Sequence, residues 1–135
     1  MLKRRLVGVV VGVGALIGGT SLVRADEPYI PLISKGFQHQ FWQAVKAGAE
    51  QSAKEQNVRI SFEGPETEAM VDKQIDMLSA ALAKKPQALG IAALDSKAAI
   101  PLLKRALNQK IPIIAFDSGV EIGRASCRER VLMPV

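Results

Sequence analysis

Four short apolar runs, each parted from the next by a stretch of helical periodicity, constrain this chain more than any other feature. The runs fall at residues 29–34, 58–62, 88–94 and 111–116. Between the first two, Phe41, Val45, Ala49 and Ala53 recur every fourth residue. Between the second and third, Val71, Ile75, Leu78 and Leu82 mark one face; before the fourth run, Ile100, Leu103 and Leu107 do the same. Runs of strand length alternating with helical stripes predict an α/β chain of βαβαβαβ order. Each crossover is long enough for a right-handed parallel connection, so the strands are expected in a doubly wound parallel sheet. Residues 88–94 are small and apolar without interruption, as a strand covered on both faces requires. Gly64 and Pro65 end the second strand, Pro86 stops the second helix, and Asp95-Ser96 can cap the third. Pro101 is tolerated only near a helix start, which predicts that this helix begins at Ala98 or Ala99.

In an open parallel sheet, ligands bind beyond the carboxyl ends of the strands. Those ends collect an unusual set of side chains. The first contributes Lys35, Phe37, Gln38 and His39, followed by Phe41 and Trp42 in the first turn of the helix. The second contributes Glu63, the third Asp95 and Ser96, and the fourth Asp117 and Ser118. Rings that can stack on C–H faces, beside planar polar groups that can bind hydroxyls, are what a neutral sugar demands. The ligand-binding set expected from this rim is His39, Phe41, Trp42, Asp95, Asp117 and Ser118. Bland readings stand beside it. One of two adjacent aromatics on a helix must face the core, Asp95 can act only as a cap, Asp117 can act only in its turn, and Lys35 can be merely solvated.

The formal charge of +5 belongs to the ends. Lys3, Arg4, Arg5 and Arg24 lie before residue 26; residues 26–120 hold 11 basic and 11 acidic side chains. A neutral fold has no basic face for nucleic acid, so no nucleic-acid partner is expected. Residues 1–25 carry a basic start, an uncharged Val- and Gly-rich stretch from Leu6 to Gly19, and Val23-Arg24-Ala25 before Asp26. That is the pattern of an export signal cut after Ala25, and the stretch is short of the roughly 20 residues of a membrane span. A periplasmic protein follows from it.

Enzyme signatures are missing. There is no phosphate-binding Gly-rich loop and no Gly-x-Gly-x-x-Gly after a strand beyond residue 25. No nucleophile elbow appears, and one histidine with one cysteine makes no metal cluster. No cofactor and no metal are expected.

Five stretches carry a family resemblance: residues 33–42, 46–50, 74–78, 93–96 and 110–117, the last reading Lys110-Ile111-Pro112-Ile113-Ile114-Ala115-Phe116-Asp117. They resemble the periplasmic sugar-binding proteins of ABC importers, of the ribose- and galactose-binding type (periplasmic binding protein-like I). The resemblance implies two lobes that close on a sugar, with Phe41 and Trp42 stacking on it and His39 and Asp117 binding its hydroxyls. It also implies an ABC permease as partner, with a chemoreceptor as a further one. Ser118 stands where ribose binders usually carry Arg, which counts against ribose. A flavodoxin-like enzyme domain and a LacI-type effector-binding domain are the competing readings; the export signal opposes the latter.

Residues 121–131 resemble the in-frame translation of a DNA sequencing adapter, and residues 121–135 are set apart as an artefact on that ground. The expected division is therefore a signal peptide at 1–25, a partial N-terminal lobe at 26–120, and the adapter-like tail. Such a lobe lacks the second half of its site and leaves an apolar sheet edge, so tight sugar binding and robust folding are not expected of it alone.

Overall fold

The computed structural model describes residues 27–122, 126–127 and 131–132. The signal-like segment and most of the adapter-like tail lie outside the described residues. The four apolar runs form strands β1 (Tyr29–Ile33), β2 (Arg59–Glu63), β3 (Leu89–Ile91) and β4 (Ile113–Ala115). Helices α1 (Gln40–Gln56), α2 (Val71–Ala83) and α3 (Ser96–Asn108) join them in the expected order. These four strands are mutually parallel and lie in the order β2-β1-β3-β4. The order reverses direction after β1, which makes the gap between the ends of β1 and β3 the switch point where such sheets bind ligands.

Three shorter strands follow. β5 (Val120–Glu121) pairs antiparallel with β6 (Ser126–Cys127), and β7 (Val131–Leu132) pairs antiparallel with β4 at the edge of the main sheet. The edge expected to be bare thus carries a two-residue antiparallel partner, within the tail set apart from the fold.

Strand alternation divides the side chains between two faces. The row Ile33–Ile91–Ala115 faces α2 and α3, where Leu78, Leu82, Leu89, Leu103 and Ile113 complete a core with exposures of 2% or less. Leu32, Gly90 and Ile114 form the row on the other face, with Phe116 two residues on. Phe116 meets Trp42 of α1 edge to face, centroids 6.4 Å apart. A side chain on Gly90 would overlap Leu32 Cδ2 and touch Phe116 at ordinary contact distance. The glycine is what lets Leu32 lie across β3 beside Phe116.

Three boundaries differ from expectation, each for a visible reason. α3 starts at Ser96, not at Ala98 or Ala99, because Asp95 caps it, its carboxylate accepting from Ala98 N at 2.9 Å. Pro101 therefore sits in the second turn, on the exposed side, where water can reach the backbone it disrupts. β3 ends at Ile91, short of Leu94, because the ladder runs out there. Ala92 N donates the last rung, to Ile33 O of β1, and Leu94 N donates instead to a side chain of α2. β4 begins after Pro112, which has no N–H for the ladder. The stripe of α1 is also shifted: Trp42 is buried and Phe41 exposed, so the inward face runs through Trp42, Val45, Ala49 and Ala53.

A candidate solute cavity at the switch point

Gln74 fixes the geometry of the switch point. Its side chain is fully buried. Its Nε2 donates to Ser34 O at 2.8 Å and to Ala92 O at 2.9 Å, and its Oε1 accepts from Leu94 N at 2.8 Å. One amide from α2 thus ties the end of β1 to the end of β3 and uses every strong donor and acceptor where it lies. Ser34, also buried, donates to Gly36 O at 2.7 Å, while its amide donates to Glu63 O at 2.7 Å. Gly64 is required beside it. A Cβ there would overlap Ser34 Oγ and stand 2.8 Å from Gly36 O. The ends of β1, β2 and β3 are therefore locked together just below the rim.

Above that platform opens a cavity of about 330 Å³ lined by Lys35, His39, Phe41, Trp42, Glu68 and Asp117. His39 is the N-cap of α1: its Nδ1 accepts from Phe41 N at 3.2 Å. Accepting at Nδ1 places the ring proton on Nε2, leaving a donor for other contacts. Trp42 is 2% exposed and acts as the wall, edge to face with Phe41 at 4.9 Å. Phe41 itself is 49% exposed and is the ring available for stacking. Asp117 has φ 60°, in a three-residue turn closed by Ser118 N donating to Phe116 O at 2.6 Å. Asp tolerates that left-handed backbone better than most residues. The turn swings its carboxylate back over the sheet to meet Lys35 Nζ at 2.7 Å.

Four of the six expected ligand residues, His39, Phe41, Trp42 and Asp117, thus meet around one cavity. The other two do not. Asp95 spends its carboxylate on the α3 cap. Ser118 turns its hydroxyl to donate to Ala93 O at 3.0 Å, which braces the β4 turn against the end of β3. Two lining residues were not singled out beforehand as site residues. Lys35 reads as an ordinary surface lysine until the fold brings Asp117 to it. Glu68 lies in the loop between β2 and α2, and its Oε1 accepts from Trp42 Nε1 at 3.2 Å. Nothing in its local sequence distinguishes it from Glu66. Among the described residues no group of three or more metal-ligating side chains is assembled, and no helix is long and apolar enough to cross a membrane.

Comparison with known proteins places this geometry. The profile of the periplasmic binding protein domain matches residues 30–128. The chain is 30% identical over 95 residues to the D-ribose/D-allose-binding protein of Pseudomonas aeruginosa, covering 69% of this chain and 30% of that protein. A solved structure described as an ABC transporter, LacI family transcriptional regulator, from Brachyspira murdochii is 44% identical. It superposes with a TM-score of 0.63 over 70% of this chain and 29% of its own. A carbohydrate transporter solute binding protein from Agrobacterium radiobacter, solved in complex with D-arabinose, is 32% identical, with a TM-score of 0.67 over 74% of this chain and 33% of its own. The chain spans about a third of the length of these relatives. With the matched profile covering well over half of its residues, the chain belongs to the periplasmic binding protein domain family.

Proposed function

We propose that this chain forms the first-lobe half of a solute-binding site for a sugar or sugar-like solute, serving an ABC importer from outside the cytoplasmic membrane. The observation that carries the reading is the cavity at the β1/β3 switch point. It sets the half-exposed Phe41 ring beside His39, Lys35, Glu68 and Asp117. A flat apolar ring flanked by planar acceptors and an N–H donor matches a ring whose faces are C–H and whose rim is hydroxyl. Phe41 stacks on the sugar, His39 and Asp117 bind its hydroxyls, and Trp42 holds Phe41 in place. Asp95 and Ser118 shape the loops that bring Asp117 over the cavity. Relatives that bind D-ribose or D-allose and D-arabinose support this class of solute.

In this reading residues 1–25 are an export signal removed after Ala25, residues 26–120 form part of one lobe, and residues 121–135 are foreign to it. A second lobe closes over the solute, and the closed form docks on the membrane permease. The chain performs no covalent chemistry.

The chain has one tryptophan, so one indole N–H resonance reports on this cavity. Titrating the ¹⁵N-labelled chain with D-ribose, D-arabinose, D-allose and D-galactose should shift that resonance together with the His39 and Phe41 amides for at least one sugar. Shifts scattered over the surface, or confined to the opposite end of the sheet, would refute the assignment.

A further inference from the structure

Glu68 is the wall of the cavity that strand ends do not explain, since it comes from the middle of the β2–α2 connection. Its position is built. Oε1 accepts the indole N–H of the buried Trp42 at 3.2 Å. The missing side chain of Gly36 gives the indole its room: a Cβ there would lie a tight 3.3 Å from Trp42 Cδ1 and Nε1, and in ordinary contact, 3.7 Å, with Glu68 Cγ. A carboxylate offers about four acceptor positions and no donor, and Trp42 is its one hydrogen-bond partner among the described residues.

Charge sharpens the consequence. The cavity holds one ammonium and two carboxylates, and Lys35 is committed to Asp117 at 2.7 Å. Glu68 is the carboxylate that no cation in the cavity matches. A solute arriving there meets an acceptor-only group of unbalanced negative charge. Glu68 is exposed, so water satisfies its carboxylate until a solute covers it; hydroxyls and ammonium groups can replace that water, while a second carboxylate or a phosphate is repelled.

We infer that Glu68 is a solute contact that sets specificity, so that the site takes donor-rich neutral polyols and amino sugars and rejects their acidic relatives. The inference rests on the solute-binding reading above and adds the class of solute. Trp42 positions the carboxylate, and the carboxylate does the selecting.

The test uses three sugars of one skeleton: D-galactose, D-galactosamine and D-galacturonate, titrated into the ¹⁵N-labelled full chain and followed at the indole and cavity amides. The unmodified chain should bind the first two and take galacturonate at least tenfold more weakly. Glu68→Gln keeps an acceptor for the indole but removes the charge. It should move the free-state indole resonance less than Glu68→Leu does and narrow the galactose-to-galacturonate ratio by about tenfold, the worth of a hydrogen bond to a charged group. Glu68→Leu should move the indole resonance before any sugar is added. An unchanged ratio in Glu68→Gln, with galactose still bound, overturns the inference while the solute reading stands. So does an unmoved indole resonance in Glu68→Leu. If galactose and galactosamine leave the cavity resonances of the unmodified chain unmoved while D-ribose, D-arabinose or D-allose shifts them, this inference is overturned and the solute reading stands; if none of these sugars shifts them, the solute reading fails and this inference falls with it.

Discussion

Replacing Gln74 by leucine should unfasten the switch point without emptying it. The substitution keeps most of the side-chain volume, so the cavity term of a large-to-small change is small. What it removes is the amide that serves Ser34 O, Ala92 O and Leu94 N. Gln74 is fully buried, so water does not replace it. Each net hydrogen bond is worth about 1 kcal/mol, and an orphaned buried group costs about 1–3 kcal/mol. Three such groups give a loss of at least about 3 kcal/mol, a large part of the 5–15 kcal/mol that holds a typical domain folded. Urea denaturation of the chain and its Gln74→Leu variant, compared at equal m, measures that loss. Hydrogen exchange localises it: core amides that keep their ladder partners should speed up by the global amount, roughly 100-fold, since every 1.4 kcal/mol is tenfold. The Leu94 amide, which also loses its own acceptor, should speed up by more. Were Gln74→Leu to cost under about 1 kcal/mol, with Leu94 protection intact, the amide would not be the fastener described here, and the rim would be held by packing alone.

Other substitutions separate wall from contact. Trp42→Ala should cost about 3–5 kcal/mol of stability, as a buried aromatic does, whereas Phe41→Ala, with half of its ring already in solvent, should leave the urea midpoint almost unmoved and weaken sugar titration instead. For His39→Ala, loss of the α1 cap should lower stability by about 1 kcal/mol; His39→Ser should restore the midpoint but not the sugar-induced shifts, and a full recovery of both would show that the imidazole only caps. Gly64→Ala places a methyl onto Ser34 Oγ and Gly36 O. Circular dichroism and urea melts should find it among the most damaging single-methyl additions in the chain, while Gly48→Ala, which meets nothing within 4 Å, should stabilise α1 by roughly 1 kcal/mol through helix propensity.

Periodicity made the order of elements, the parallel sheet and the binding rim readable from the chain alone, because apolar spacing is a direct image of which face is buried. It did not resolve which of Phe41 and Trp42 turns inward. Adjacent helical positions lie about 100° apart, and the stripe through Val45, Ala49 and Ala53 accommodates either. The choice is made by Phe116, just past β4 and more than 70 residues away, which gives Trp42 a ring to pack on. Pro101 misled the reading of α3 for a similar reason. The rule against proline inside helices assumes that nothing else fixes the start, and here the Asp95 cap fixes it. Gln74 gave no local sign at all. It stands on the α2 face between Val71 and Leu78, and a polar residue there looks like a break in the stripe until β1 and β3 bring three backbone groups to it.

Those two silent residues explain why the rim behaves as one object. Gln74 clamps the ends of β1 and β3 from beneath. Glu68, six residues earlier on the same connection, holds Trp42 from above. The β2–α2 segment therefore carries both the fastener of the switch point and one wall of the cavity, although no strand end contributes either. A solute that draws Glu68 towards its hydroxyls pulls on the segment leading directly into the helix whose amide spaces β1 from β3. Coupling between solute and sheet should thus run through residues 68–74. In the ¹⁵N titration, the Leu94 amide should shift with the same midpoint as the Trp42 indole, and Gln74→Leu should abolish the first response while leaving the second. If Leu94 responds equally in both proteins, solute and switch point are coupled by another route.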